Sequence, residues 1–168
     1  MEALCFSVGG SAYLAPLVSL AEVLMPAALR PVPAAPPFVL GLLHLRGRTL
    51  TVIDLRERLG LAPREGFAHA NRILRVGAGG QDLGVVVDAV LRIAVLEPSQ
   101  RRDGTPGVGI RQGWDGPLWE LDGALVQELR LEQLLDGAAL SALGSEPAHG
   151  QTDFNRLLDP SGGGSDAP

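Results

Sequence analysis

The chain has 168 residues, 46% hydrophobic and 20% charged, with a net charge of −5. That length fits one compact domain or two small lobes around a shared core, and the charge balance argues against nucleic acid binding, which needs a concentrated basic surface. Cys5 is the lone cysteine, which excludes an intrachain disulfide or a multi-thiolate metal site and reads as a buried strand residue. No apolar run reaches the roughly 18 residues of a membrane span, and MEALCFSVGG carries Glu2 and no basic region, so it does not read as a signal peptide.

In chain order, Leu4–Val8 reads as a strand, Gly9–Gly10 as a turn and Ser11–Leu14 as the returning strand, with Pro16 confining it to an end or edge. Leu17, Leu20, Ala21 and Leu24 share one helical face, which predicts a short helix ended by Pro26. The four prolines of Arg30–Pro37 forbid a helix or central strand and predict an extended crossing loop. Gly41–Leu61 reads as strand, tight turn at Arg46–Gly47, strand over Thr49–Ile53, and a short amphipathic segment opened by Asp54, with Leu55 and Leu59 on one face. Pro63–Ala70 is a polar loop. Arg72–Val76 and Leu83–Val87 form a hairpin around Gly77–Gly80, and Leu91–Leu96 is a further strand closed by Pro98.

Ser99–Gly116 is turn-rich, and its Gly104, Gly107, Gly109 and Gly113 match neither phosphate-binding glycine pattern. Trp119–Leu135 then repeats the pattern of the earlier hairpin at an offset of 76: Gly47 with Gly123, Leu50 with Val126, Leu55 with Leu131, Leu59 with Leu135, and Asp54 with Arg130. A repeated hairpin-plus-helix unit predicts two similar β lobes packed together. Trp119 is either core or a partner-facing aromatic. Ala138–Leu143 extends a short helix. Ser145–Pro168 is rich in glycine, proline, serine and acids, has one apolar cluster at Phe154, Leu157 and Leu158, and buries too little to offset chain entropy.

Few residues have the spacing of a chemical site. His44, His69 and His149 form no H-E-x-x-H or H-x-H pair, and no serine sits in G-x-S-x-G. Asp54 and Asp88, at strand ends, read as caps of the following turns. Arg46 lies between an apolar run and Gly47. It is either a strut bonded to an acid such as Asp54 or Asp88, or an exposed fork of donors for a partner's carboxylate or carbonyl groups.

The run VLGLLHLRGRTLTVIDL, Val39 to Leu55, resembles the V-x-G-x-x-N-L-R-G-x-x-x-P-V-x-D-L signature of the CheW-like family, the adaptor proteins of bacterial chemosensory arrays. Gly41, Leu45, Arg46, Gly47, Asp54 and Leu55 match, while His44 replaces the usual asparagine and Thr51 the usual proline. LGVVVDAV is similar to the family's G-x-x-V-D-x-V run through Gly84, Val87, Asp88 and Val90, and Leu20–Val23 occupies its V-x-E-I-like motif. The last family motif is met by Gly123, Leu125, Leu129, Leu134 and Leu135, but Arg130 replaces an aspartate or asparagine, and Pro117 and Trp119 stand where a glycine is expected.

The resemblance implies a mainly β fold of two packed SH3-like five-stranded β-barrel lobes with short helices, in one domain over residues 1–140, followed by a largely disordered tail over 141–168. It implies a non-enzymatic adaptor without cofactor or metal, cytoplasmic and recruited to membrane-associated receptor arrays. Such a module couples chemoreceptors to a CheA-like histidine kinase. It contacts the kinase regulatory domain and the cytoplasmic tip of methyl-accepting chemoreceptors, whose helix enters an apolar groove between the lobes. Partner-binding candidates carried over by the motifs are Arg46, Glu22, Val23, Gly41, Val87 and Val90. The alternatives are an adaptor of a type IV pilus or other non-flagellar pathway and, in another class, a small ligand-binding or catalytic β-barrel. A chain ending at Asp159 is expected to keep its thermal midpoint; a loss of more than several degrees would show that the removed residues hold the fold.

Overall fold

The structure, a computed structural model, describes residues 1–78, 81–102 and 113–134. The expected helix over 138–143, the tail over 141–168, Leu135, Arg111 and the glycines at 104, 107 and 109 lie outside the described residues. Among the described residues the strands are β1 (Glu2–Val8), β2 (Ser11–Pro16), β3 (Leu20–Leu24), β4 (Val39–Leu45), β5 (Arg48–Asp54), β6 (Arg72–Ala78), β7 (Gln81–Val87), β8 (Ala89–Val95), β9 (Arg101–Arg102), β10 (Asp115–Leu121) and β11 (Ala124–Leu129), with one short α-helix, α1 (Leu55–Arg58). They form two sheets. Lobe one has the order β8-β1-β2-β11-β10-β9, and lobe two the order β3-β6-β7-β5-β4. Lobe two is the expected five-stranded unit, and lobe one gains the two-residue strand β9.

Each sheet curls until its edges approach. In lobe two β3 and β4 are at opposite ends of the strand order, yet Arg46, just after β4, reaches Glu22 on β3 at 2.6 Å. In lobe one Arg92 on β8 meets Asp122 in the β10–β11 turn. The repeat read from the sequence is therefore structural. Arg46–Gly47 (φ 49° and 77°) and Asp122–Gly123 (φ 50° and 79°) turn their hairpins with two positive φ values, the signature of the twist-matched two-residue turn. Each second strand, β5 or β11, also pairs parallel with a strand of another hairpin, β7 or β2. Asp54 caps α1 by accepting the Arg56 N–H at 3.1 Å, whereas its counterpart Arg130 gives the following 3-10 turn no side-chain cap.

The interior has three parts. Ala3, Cys5, Leu14, Ala94 and Trp119 cluster in lobe one, and Leu43, Leu50, Val52, Ile73 and Val86 in lobe two. The largest cluster joins the lobes: Leu4, Phe6 and Val8 of β1 meet Ile53, Leu74 and Val85 of lobe two. Successive side chains of a strand point to opposite faces, so β1 alternates between the lobe-one interior and the shared core. Full burial of each such side chain contributes about 1.5–3 kcal/mol. Trp119 is thus core, with its indole N–H donated to the buried Glu128 carboxylate at 2.8 Å. Cys5 is buried as expected; burial raises its thiol pKa, assisted by Asp122 and opposed by Arg92.

One expected element is corrected. Residues 17–24 form not a helix but a 3-10 turn, Leu17–Ser19, followed by β3 paired antiparallel with β6. Leu20 and Leu24, four apart, share a face in either conformation. Pairing with β6 decides for the strand, with Leu20, Glu22 and Leu24 half-buried and Ala21 and Val23 exposed.

The proline-rich segment is the expected crossing loop, tied to β4 by reciprocal 2.8 Å bonds between the main chains of Arg30 and Leu42. Gly41 permits this contact: its φ is 145°, and a Cβ there would lie 2.6 Å from the Arg30 carbonyl oxygen. Gly41→Ala is therefore expected to lower the unfolding free energy by about 1–3 kcal/mol, the usual cost of a strained backbone site. An unchanged denaturation midpoint would contradict this.

Candidate functional site

Lobe two carries a chain of alternating charges across four strands and a turn. Arg46 grips Glu22 of β3 with both terminal nitrogens, at 2.6 and 3.3 Å. Glu22 also accepts from Arg75 of β6 at 3.4 Å, and Arg75 donates through Nε and Nη2 to Asp82 of β7 at 3.2 and 2.7 Å. Arg48 of β5 ends the chain, 3.7 Å from Asp82. The two end arginines are mostly exposed, their side chains at 71% and 76%, while Glu22, Arg75 and Asp82 are each below 30%. The hydrogen bonds to Asp82, with further support from Glu22, hold the Arg75 pKa above its ordinary value against the opposing effect of burial.

A second group of charges lies where the lobes meet. Asp88 accepts the Gly9 N–H from the β1–β2 turn at 2.7 Å, and from Arg56 at 3.1 and 2.9 Å. Arg64 bridges Asp88 and the buried Asp54, at 3.0 and 3.2 Å. Asn71 donates to the Asp88 carbonyl at 3.0 Å. Burial alone would raise the Asp88 pKa. The Arg56 and Gly9 hydrogen bonds and the charges of Arg56 and Arg64 outweigh it and hold the carboxyl below its ordinary value. Both acids are thus enclosed by donors, and Arg46 is bonded to neither, so its acid is one the sequence did not pair with it.

The six candidate residues separate accordingly. Glu22 and Arg46 come together. Val23, beside Glu22 on β3, is 45% exposed. Gly41 is buried in the β4 irregularity, held by packing against Arg30. Val87 is a correction: at 0% exposure it packs into the shared core and presents no side chain to a partner. Val90 is half-buried against the same core. Sequence reasoning missed Arg48, Arg75 and Asp82, and also an apolar row on β8, where Leu91, Ile93 and Val95 are 55–63% exposed. Ile93 pairs with Leu4 of the shared core, and paired residues face the same side of a sheet. This row therefore extends the interlobe core to the surface. Its signal was the alternation in LRIAV; the edge position of β8, which exposes it, is set by the sheet order.

Residues 2–139 match the family profile described as "CheW-like domain". The chain belongs to the CheW-like family. It is 30% identical over 95 residues to a probable chemotaxis protein CheW of Rhizobium etli, an alignment spanning 56% of this chain and 61% of that protein. It is 28% identical over 109 residues to the chemotaxis protein CheW of Bacillus subtilis, covering 65% of this chain and 66% of the relative. The crystal structure of the scaffolding protein TtCheW from Thermoanaerobacter tengcongensis superposes with a TM-score of 0.74 at 25% identity, over 82% of this chain and 94% of that one. The two SH3-like lobes are therefore the CheW-like architecture.

The Asp88 group predicts acid sensitivity. A carboxylate with a depressed folded-state pKa contributes stability above its unfolded-state value, about 3.9, and loses that contribution as the pH falls through the folded value. Asp88→Asn is expected to destabilise the protein at pH 7 by about 1–3 kcal/mol, the cost of unsatisfied buried donors. It should also flatten the decline in stability below about pH 4. Denaturant titrations across pH test both, and an unchanged acid limb would overturn the assignment.

Proposed function

We propose that this CheW-like chain is a non-catalytic adaptor that holds a CheA-like histidine kinase, through its regulatory domain, and the cytoplasmic tip of a chemoreceptor in one assembly at receptor arrays. The observation that carries this reading is the exposed Arg46–Glu22 pair at the motif arginine. The Arg46 guanidinium is presented from a tight turn and, among the described residues, is bonded to one carboxylate, so it can exchange Glu22 for an acceptor on a partner. Glu22 keeps Arg75 when this happens, so neither acid nor arginine loses its last partner.

The β8 row supports the receptor contact. Leu91, Ile93 and Val95 offer an apolar strip at the rim of the interlobe core, where a helix can lay an apolar face. The space between the lobes is filled by that core, so on this reading the receptor helix lies at its rim and not between the lobes. On this reading no bond is made or broken. Coupling arises because kinase and receptor, held on one rigid body, bias each other's states by the difference in binding free energy.

Arg46→Ala separates recognition from support. An exposed pair contributes about 0–1 kcal/mol to stability, so the denaturation midpoint is expected to stay nearly constant. Affinity for the kinase regulatory domain or the receptor fragment is expected to fall, by about 2–5 kcal/mol if the contact is buried on binding and by much less at a rim. A clearly lower midpoint with unchanged affinity of the folded fraction would overturn the recognition role.

A further inference from the structure

A recess of about 430 Å³ in lobe two shares no lining residue with the cleft of Arg46, Arg48 and Arg75. Its walls come from three separate stretches of chain: Ala27, Ala28 and Leu29 beyond β3, Leu40 of β4, and Phe67 of the loop between α1 and β6, with Arg64 as the charged side chain. Leu29 and Leu40 also pack against the lobe-two interior, and Phe67 is 40% exposed. The reciprocal main-chain bonds of Arg30 and Leu42 tie the wall at 27–29 to β4, so the recess is formed before anything enters it. Apolar walls, a few polar groups and a volume between about 300 and 1,000 Å³ are the marks of a small-molecule site.

Arg64 decides the chemistry of the occupant. Its side chain is only 6% exposed, and its Nη2 is shared between Asp54 at 3.2 Å and Asp88 at 3.0 Å. Its Nε is buried and has no acceptor among the described residues. A buried N–H that has lost water and gained no acceptor is unfavourable, and an acceptor brought to it is bound the more strongly for that. The charges beside it are already balanced, Arg56 and Arg64 against Asp54 and Asp88. A carboxylate or phosphate at Arg64 would add a third anion to the two that share it, and a cation would meet the guanidinium itself. A neutral carbonyl oxygen supplies the acceptor and leaves the balance intact. The remaining walls are aliphatic or aromatic and suit an apolar body, with Phe67 offering a ring to pack against.

We propose that this recess binds a small neutral molecule with an aromatic or alkyl body and a carbonyl oxygen, such as an amide, ester or lactone. The oxygen accepts from Arg64 Nε, and the body lies against Leu29, Leu40 and Phe67. Arg64 also joins Asp54 to Asp88, the carboxylate that takes the Gly9 N–H of the β1–β2 turn. Binding therefore acts on a group that fastens the two lobes, and the folded state gains stability with ligand concentration by mass action. Neither Arg46 nor the apolar strip of β8 lines the recess, so the proposal stands apart from the adaptor reading.

The test is amide NMR titration of the full chain with three compounds, each to about 20 mM: acetanilide, its counterpart without the carbonyl oxygen, N-ethylaniline, and the anion phenylacetate. Acetanilide is expected to move the signals of Ala27, Ala28, Leu29 and Phe67 together, with one dissociation constant of about 1 mM, and to raise the thermal midpoint. N-ethylaniline and phenylacetate are expected to bind roughly tenfold more weakly or not at all. Ala28→Trp fills the recess and is expected to abolish the response. Where that variant fails to fold, Phe67→Ala is expected to weaken binding severalfold. Signals that stay still, or that drift without saturating, overturn the proposal. Equal binding of N-ethylaniline removes the role of the Arg64 donor, and equal binding of phenylacetate removes the neutral class; either outcome overturns it. Phe154→Ser with Leu157→Ser, in the absence of any added compound, is expected to leave these signals unchanged. A change there would mean that the chain's own segment fills the recess and would equally overturn the proposal. Kinase and receptor binding are not read in any arm, so this inference and the adaptor reading fail separately.

Discussion

Strand β1 has no solvent face over most of its length, and the two-lobed arrangement depends on that. Its odd and even positions serve different cores: Ala3 and Cys5 fill lobe one, while Leu4, Phe6 and Val8 pack against Ile53, Leu74 and Val85 of lobe two. A slip of one residue would exchange these sets and open both interiors at once. The ladder to β2, which pairs Leu4 with Ala15 and Phe6 with Tyr13, is therefore fixed by two cores rather than one. Asp88, between β7 and β8, reaches the Gly9 N–H as a continuation of the β1–β8 ladder, in which its own N–H donates to the Ser7 carbonyl and Ala89 pairs with Ser7.

The charged groups divide by burial into two kinds. Around Asp54 and Asp88, Arg64 is enclosed and Arg56 partly so, and loss of a partner of Arg64 would leave another charge stranded in a poorly hydrated setting. Around Arg46 and Arg48 the guanidinium groups face water, and rearrangement has a small energetic cost. The same residue type thus fastens the lobes in one place and is available for exchange in another. All 14 basic side chains of this protein are arginine, so residue identity cannot separate the two uses; only depth does.

Much of the fold was legible in the sequence because glycine turns and short apolar runs mark the hairpins, and because the 76-residue repeat relates real structural units. Leu17–Leu24 was not, since leucines four apart satisfy both helix and strand and the choice fell to pairing with β6. Val87 and Ile93 show the limit for the site. Both sit in Val- and Ile-rich strands, yet one is fully buried and the other more than half exposed. The difference lies in sheet order, β7 being interior and β8 an edge, which local sequence does not encode. Arg46 was legible through its motif, but its acid was not: Glu22 lies 24 residues away and meets it only when the sheet curls.

The order of strands along the chain has a consequence for synthesis. All five strands of lobe two, β3 to β7, lie between β2 and β8, whereas lobe one draws on both ends of the described chain. On the ribosome, lobe two is complete in sequence while β8 to β11 have yet to appear, and domains tend to fold as their residues emerge. The β1–β2 hairpin must then wait, with Leu4, Phe6 and Val8 already able to lie against the finished lobe-two surface. The nascent chain thus has a template on which the last strands add, and lobe one closes late, around a seam that already exists.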